Sequence, residues 1–164
     1  MNEGLQTTII ETANDFYEAF KRCKEGKNFR KENGIEVSDV VSIPAIVNGC
    51  FACELYFKTL LKRYNKKEHN LYKLFCCLRK KKMELIKTKL GNLIQDSVFQ
   101  YRKFTFEEIL QDIGNAFVDW RYIFEEEHMP GFYGNRINRF IPALRIILGN
   151  LKEIAEANYS TNHK

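Results

Sequence analysis

Apolar residues recur along this chain at spacings of three and four, which places them on one face of an α-helix. No segment shows the alternation of apolar and polar residues typical of a β-strand, and the polar stretch Glu25–Asp39 is predicted to be a long connection. We therefore predict an all-α fold, a single up-and-down-like bundle of five or six helices spanning residues 1–164. The predicted helices are Leu5–Cys23, Ile43–Tyr64, Leu71–Leu78, Lys82–Ile94, Thr105–Phe124 (ended by Pro130-Gly131) and Tyr133–Ala157.

Two of these helices carry further signals. Of the 19 residues from Ile43 to Leu61, 13 are apolar, so this helix is apolar almost all round and is expected at the centre of the bundle. The fifth predicted helix opens with Thr105 followed three residues later by Glu108, which is the pattern of a capping box.

The composition is that of one globular domain. A length of 164 residues corresponds to about one domain, and a hydrophobic content of 45% excludes a disordered chain. Only 9 Gly and 3 Pro are present, which excludes a collagen-like sequence. No apolar run is long enough for a transmembrane helix, and the start Met1-Asn2-Glu3-Gly4 does not resemble a signal peptide. We expect a cytoplasmic protein without a membrane partner.

Positive charge is concentrated in one part of the chain. The net charge is +5, but the segment Lys58–Lys103 contains 14 basic and 3 acidic residues and carries +11, which leaves −6 for the remainder. A chain polarised in this way has a basic side that can hold phosphates. The alternative interpretation of each basic run is a solvated turn or a solvated helix start. The candidate RNA-binding residues are Lys66, Lys67, Arg79, Lys80, Lys81 and Lys82.

The five cysteines indicate a reducing compartment, because their number is odd. Cys50 and Cys53 form a C-x-x-C pair and Cys76 and Cys77 are adjacent, so a zinc site or a metal- or redox-sensing regulator is one interpretation. However, Cys50 and Cys53 lie in a strongly apolar helical stretch, where a free Cys is commonly a small buried hydrophobe. We therefore predict no metal and no cofactor.

Three short motifs, taken in order, resemble the HEPN superfamily. They are Glu54-Leu-x-x-Lys58, His69-x-Leu-x-x-Leu-Phe75 and Arg121-Tyr-x-x-Glu125. HEPN domains are small all-helical domains of prokaryotic toxin–antitoxin, phage-defence and RNA-processing systems. The resemblance implies a homodimer, an RNA substrate, and an antitoxin or other protein as a further partner.

Many HEPN domains are metal-independent ribonucleases whose active motif is an Arg and a His separated by a short spacer. Arg suits this role because its charged planar fork binds the scissile phosphate. His suits it because its pKa lies near neutrality, so it can move protons to or from the 2′-hydroxyl and the leaving 5′-oxygen.

Two Arg and His pairs have this spacing. Arg121 and His128 have six residues between them, and their offset of seven places both on one face of a regular helix. Arg63 and His69 have five residues between them, which requires a turn. Tyr122 and Tyr64 stand directly after the two arginines, where the family usually has Asn, Asp or His. We take Arg121 and His128 as the catalytic candidates and Arg63 and His69 as the second pair.

A non-catalytic interpretation uses several of the same residues. Glu54 and Lys58 are one turn apart on an otherwise apolar helix, where a charge is costly unless it is paired. Lys58, Arg121 or His69 can compensate the charge of Glu54. In this alternative these residues form a structural polar network, and the chain is a dimeric HEPN-like interaction module.

Overall fold

The computed structural model describes residues 3–24, 29–32, 35–38, 42–62, 67–97, 105–114 and 133–160. In these ranges the chain is almost entirely helical, which confirms the predicted helical class. The six helices are α1 (Glu3–Lys24), α2 (Ser42–Leu61), α3 (Leu71–Cys76), α4 (Lys80–Ser97), α5 (Phe106–Asp112) and α6 (Tyr133–Ser160).

Helix α2 lies at the centre of the described structure. It packs most extensively against α1 and α6, and it also contacts α3. From Ala52 to Leu60 every residue except Leu55 is buried, so the helix is covered on all sides as its composition predicts. The largest side chains that α2 contributes to the core are Tyr56, Phe57 and Ile46.

The stretch Glu25–Asp39, predicted to be a plain connection without strands, contains a short β-hairpin, so this prediction is wrong. Strand β1 (Phe29–Glu32) pairs antiparallel with β2 (Ile35–Ser38), in a register that sets Glu32 opposite Ile35. The dipeptide between the strands is Asn33-Gly34, which is a strong hairpin signal in a sequence. Strands of only four residues are too short for the apolar periodicity to reveal.

The structure also corrects the helix predicted to run from Thr105 to Phe124. The capping box is confirmed, since Thr105 Oγ1 accepts a bond from the Glu108 amide and Glu108 Oε2 accepts one from the Thr105 amide. However, α5 ends at Asp112, because Ile113 leaves the helical conformation. The carbonyl of Gly114 accepts a hydrogen bond from the amide of Leu71 (3.0 Å), which joins the end of α5 to the start of α3.

The ends of the other helices differ from prediction by a few residues. Helix α2 stops at Leu61 and not at Tyr64, since Lys62 has a φ of 54°, in the left-handed region that ends a helix. Helix α4 begins at Lys80, two residues before its predicted start. Among the described helices, none combines the length and the apolar character needed to cross a membrane.

The close packing of α2 against its neighbours makes a specific prediction at Gly49. A Cβ at this position would lie 2.5 Å from Leu144 Cδ2 and 3.0 Å from Phe20 Cδ2, both in fully buried side chains. We expect Gly49→Ala to lower the free energy of unfolding by about 1–3 kcal/mol through overpacking, measured by urea denaturation.

The matched control is Gly149→Ala in α6. The nearest atom to a Cβ there is Tyr17 Oη at 3.5 Å, an ordinary contact distance. In a helix interior Ala is favoured over Gly, so this variant should gain about 0.5–1 kcal/mol. Equal effects at the two positions would show that the α2 interface is not tightly packed.

Candidate functional site

A buried carboxylate lies near the end of the central helix. Glu54 is only 1% exposed. Lys58 Nζ, one turn further along α2, donates a hydrogen bond to Glu54 Oε1 over 2.7 Å. His69 approaches from the segment before α3, with Nδ1 3.0 Å from Glu54 Oε1 and 3.1 Å from Oε2. Glu54, Lys58 and His69, called here the Glu54 network, therefore satisfy a charge that would otherwise be costly to bury.

The backbone around His69 is held by a second carboxylate. Glu68 Oε1 accepts hydrogen bonds from the amide of His69 (3.1 Å) and the amide of Asn70 (2.9 Å). Asn70 in turn caps α3, since its side chain accepts a bond from the Lys73 amide. This local order fixes the direction from which His69 reaches Glu54.

The side chain of His69 is half exposed, with 50% of its surface accessible. Its Nδ1 faces the carboxylate, so Glu54 sets the orientation of the ring. In a neutral ring with the proton on Nδ1, Nε2 is left as the acceptor. The arrangement can therefore serve as a structural ion pair, and it can also orient an imidazole for proton transfer.

A second feature, called here the basic cleft, lies between the end of α2, the start of α4 and the end of α6. Its cavity volume is about 390 Å³. Three cationic side chains line it: Lys62, Arg79 and Lys82. Among the described residues that line the cleft there is no carboxylate; the others are Leu60, Leu61, Cys77 and Asn158.

A hydrogen bond fixes the position of the Lys82 side chain in this cleft. Its Nζ donates a hydrogen bond to the carbonyl of Leu60 over 2.9 Å, which joins the first turn of α4 to the last turn of α2. Partial burial, and then the neighbouring charges of Lys62 and Arg79, hold the pKa of Lys82 below its usual value. Lys62 and Arg79 are therefore close enough to Lys82 for their charges to act on it.

The middle of α4 has the opposite character. Lys87 Nζ lies 2.6 Å from Glu107 Oε1 of α5, and Lys89 Nζ lies 2.5 Å from Glu153 Oε2 of α6. The hydrogen bond that Lys87 donates to Glu107 raises the pKa of Lys87. Lys87 and Lys89 in the middle of α4 are thus paired with acidic side chains, whereas the first turn of α4 contains no acidic residue.

The predicted RNA-binding residues differ in their exposure and in whether they line the basic cleft. Lys67, Arg79, Lys80 and Lys81 are exposed, and Lys82 is half buried. Of the described members of this set, only Arg79 and Lys82 line the basic cleft. Lys66 lies outside the described residues.

The predicted catalytic pair also lies outside the described residues, since neither Arg121 nor His128 is among them. The same is true of Arg63, the partner of His69 in the second pair. The structure therefore brings together Glu54, Lys58 and His69 of the predicted set. The geometry of both Arg and His pairs stays a prediction.

The cysteines fall into two classes. Cys50 and Cys53 are fully buried in α2, and Cys76 and Cys77 are exposed at the end of α3. Burial raises the pKa of Cys50 to about 12, and burial together with Cys50 raises the pKa of Cys53. Within the described residues, no three or more His, Cys, Asp or Glu side chains come together, so these four cysteines do not form a zinc-type cluster.

One cation and one amide of the basic cleft, Lys62 and Asn158, were not among the predicted site residues. Lys62 belongs to a basic run in the sequence, but its role at the cleft depends on the turn that ends α2. Asn158 comes from the last turns of α6, 76 positions after Lys82, and no local pattern marks it. Comparison with protein-family models, with curated proteins and with solved structures finds no match.

The two cysteine classes predict selective thiol chemistry. The thiolate is the reactive form, so Cys76 and Cys77 should be alkylated by iodoacetamide at pH 7.5 while Cys50 and Cys53 react only after denaturation. Peptide mass spectrometry of native and urea-unfolded samples measures this directly. Native alkylation of Cys50 at the rate of Cys76 would contradict the structure and would revive a redox role for the C-x-x-C pair.

Proposed function

We propose that this chain is an RNA-directed, HEPN-like protein of a bacterial defence or toxin–antitoxin system. It acts in the cytoplasm as a homodimer and is a metal-independent endoribonuclease that uses Arg121 and His128. The proposal rests on the three HEPN-like motifs and on the uneven charge of the chain. It agrees with the helical class of the described structure.

The basic cleft is the observation that best supports an RNA ligand. Lys62, Arg79 and Lys82 line one cavity, and the charges of Lys62 and Arg79 act against that of Lys82. A phosphate in this cleft relieves that repulsion, since none of the described lining residues carries a negative charge. Lys67, Lys80 and Lys81, all exposed, extend the positive surface along the same segment.

The proposed reaction needs no metal ion. The 2′-oxygen attacks the adjacent phosphorus and the bond to the 5′-oxygen breaks, which leaves a 2′,3′-cyclic phosphate and a 5′-hydroxyl. His128 transfers the proton, taking it from the 2′-hydroxyl or giving it to the departing 5′-oxygen. Arg121 holds the phosphate and stabilises the negative charge that develops on its oxygens.

A second candidate function is a non-catalytic, dimeric interaction module that binds an antitoxin or another protein. The Glu54 network supports it, because Glu54 is bound to both Lys58 and His69 and so has a structural role in the fold. In this alternative Arg121 joins the same network and is not available to a phosphate. The two candidates differ in whether the purified protein cuts RNA.

The test is RNA cleavage by the purified protein in EDTA. We expect the wild type to cut single-stranded RNA and to leave 2′,3′-cyclic phosphate ends, identified by mass spectrometry. His128→Ala removes the group that transfers the proton, so its rate should fall by at least about a hundredfold.

The matched control is His163→Ala, because His163 belongs to neither of the two Arg and His pairs. This variant, purified in the same way, should cut like the wild type. A wild type that cuts no RNA would favour the interaction module. Equal cleavage by wild type and His128→Ala would exclude His128 as the acid or base.

A further inference from the structure

The basic cleft has more positive charge than a single phosphodiester needs. Lys62, Arg79 and Lys82 each contribute a cation, and the lining includes no acidic residue among those the structure describes. A backbone phosphodiester carries one negative charge. A phosphate monoester carries about −1.5 to −2 at pH 7 and offers three strong acceptor oxygens.

Cations at the start of α4 lower the stability of this helix. Arg79 directly precedes the helix, Lys80, Lys81 and Lys82 form its first turn, and this turn has no acidic residue. The helix dipole is positive at this end, so cations here are disfavoured and an anion is favoured. Further along the same helix, Lys87 and Lys89 are paired with glutamates, so the described part of α4 differs in this respect from the end that lines the cleft.

Three of the side chains that line the cleft, Arg79, Lys82 and Asn158, carry hydrogen-bond donors of the kind that bind phosphate oxygens. Lys82 Nζ uses one donor on the Leu60 carbonyl, which fixes the position of the ammonium group and leaves two donors. The Arg79 guanidinium can give a paired contact to two phosphate oxygens. The Asn158 side chain adds a neutral amide from α6.

The size and the remaining lining indicate more than a bare ion. A volume of about 390 Å³ falls in the range of small-molecule sites, which is about 300–1,000 Å³. Leu60 and Leu61 supply an apolar part beside the cations. Such a site fits a phosphate together with the sugar or base to which it is attached.

We propose that the basic cleft binds a phosphate monoester, and that in the RNA-directed function proposed above this group is the phosphorylated end of an RNA strand. The inference rests on that proposed function only for the identity of the strand. The cleft thereby distinguishes phosphorylated from hydroxyl ends, which a general basic surface does not do.

The first experiment measures binding of a 2′-O-methyl RNA dodecamer by fluorescence anisotropy, since this RNA lacks the hydroxyl needed for cleavage. Three forms are compared, with a 5′-phosphate, a 3′-phosphate or hydroxyls at both ends, and the dye is placed internally. We expect one phosphorylated form to bind about tenfold tighter than the hydroxyl form.

Arg79→Gln is the main variant, because this side chain is exposed and the variant should keep the melting temperature of the wild type. It should bind all three RNAs alike.

Lys73→Gln is the matched control, since Lys73 is an exposed lysine of the same basic segment that does not line the cleft. It should keep the preference for the phosphorylated end. Lys82→Gln is the second test variant and should also lose it.

A second experiment separates the cleft from RNA binding. Adenosine 5′-monophosphate should raise the melting temperature of the wild type and of Lys73→Gln but not of Arg79→Gln, and adenosine should raise none of them. If the monophosphate acts in this way but no RNA binds, the monoester site stands and the RNA-directed function fails. If RNA binds but its end group and the monophosphate have no effect, the inference is overturned and the RNA-directed function stands. The absence of both effects overturns both.

Discussion

The burial of one carboxylate in an apolar helix is the constraint on which this structure depends. Glu54 lies in α2, whose other side chains form much of the core, and almost none of its surface reaches water. Lys58 compensates the charge from the same helix, and the Nδ1 atom of His69, in the segment before α3, lies 3.0 Å from Glu54 Oε1. Since a buried charge is tolerated only when it is paired, this requirement holds the segment before α3 against the end of α2.

Other elements are joined to the same end of α2. Lys82 connects the first turn of α4 to the Leu60 carbonyl, and the Leu71 amide connects α3 to α5 through Gly114. The Lys82 contact lies in the last turn of the central helix, and Tyr56, between Glu54 and Lys58 in the sequence, donates a hydrogen bond to Asn14 of α1. The basic cleft is therefore built on a framework that the Glu54 network and Lys82 hold in position.

The sequence predicts the parts of this arrangement that depend on local spacing. The apolar pattern of α2 predicts its central position, the Thr105 and Glu108 pair predicts a helix start, and an offset of four predicts contact between Glu54 and Lys58. The periodicity of apolar residues does not predict the hairpin, because each strand has only four residues. The dipeptide Asn33-Gly34 is nevertheless typical of a hairpin turn. The contribution of Asn158 to the cleft depends on how α6 packs against α2 and α4, and no local rule contains that information.

The most direct test of this account is a double-mutant cycle on Glu54 and Lys58, measured as the free energy of unfolding in urea. Lys58→Met leaves the buried carboxylate with a single partner and should cost about 3 kcal/mol or more. Adding Glu54→Gln removes the carboxylate charge that Lys58 no longer compensates, so the double variant should recover part of this loss and give a coupling energy above about 1 kcal/mol. Effects that add to within about 0.5 kcal/mol would show that the two charges do not depend on each other, and would contradict the account.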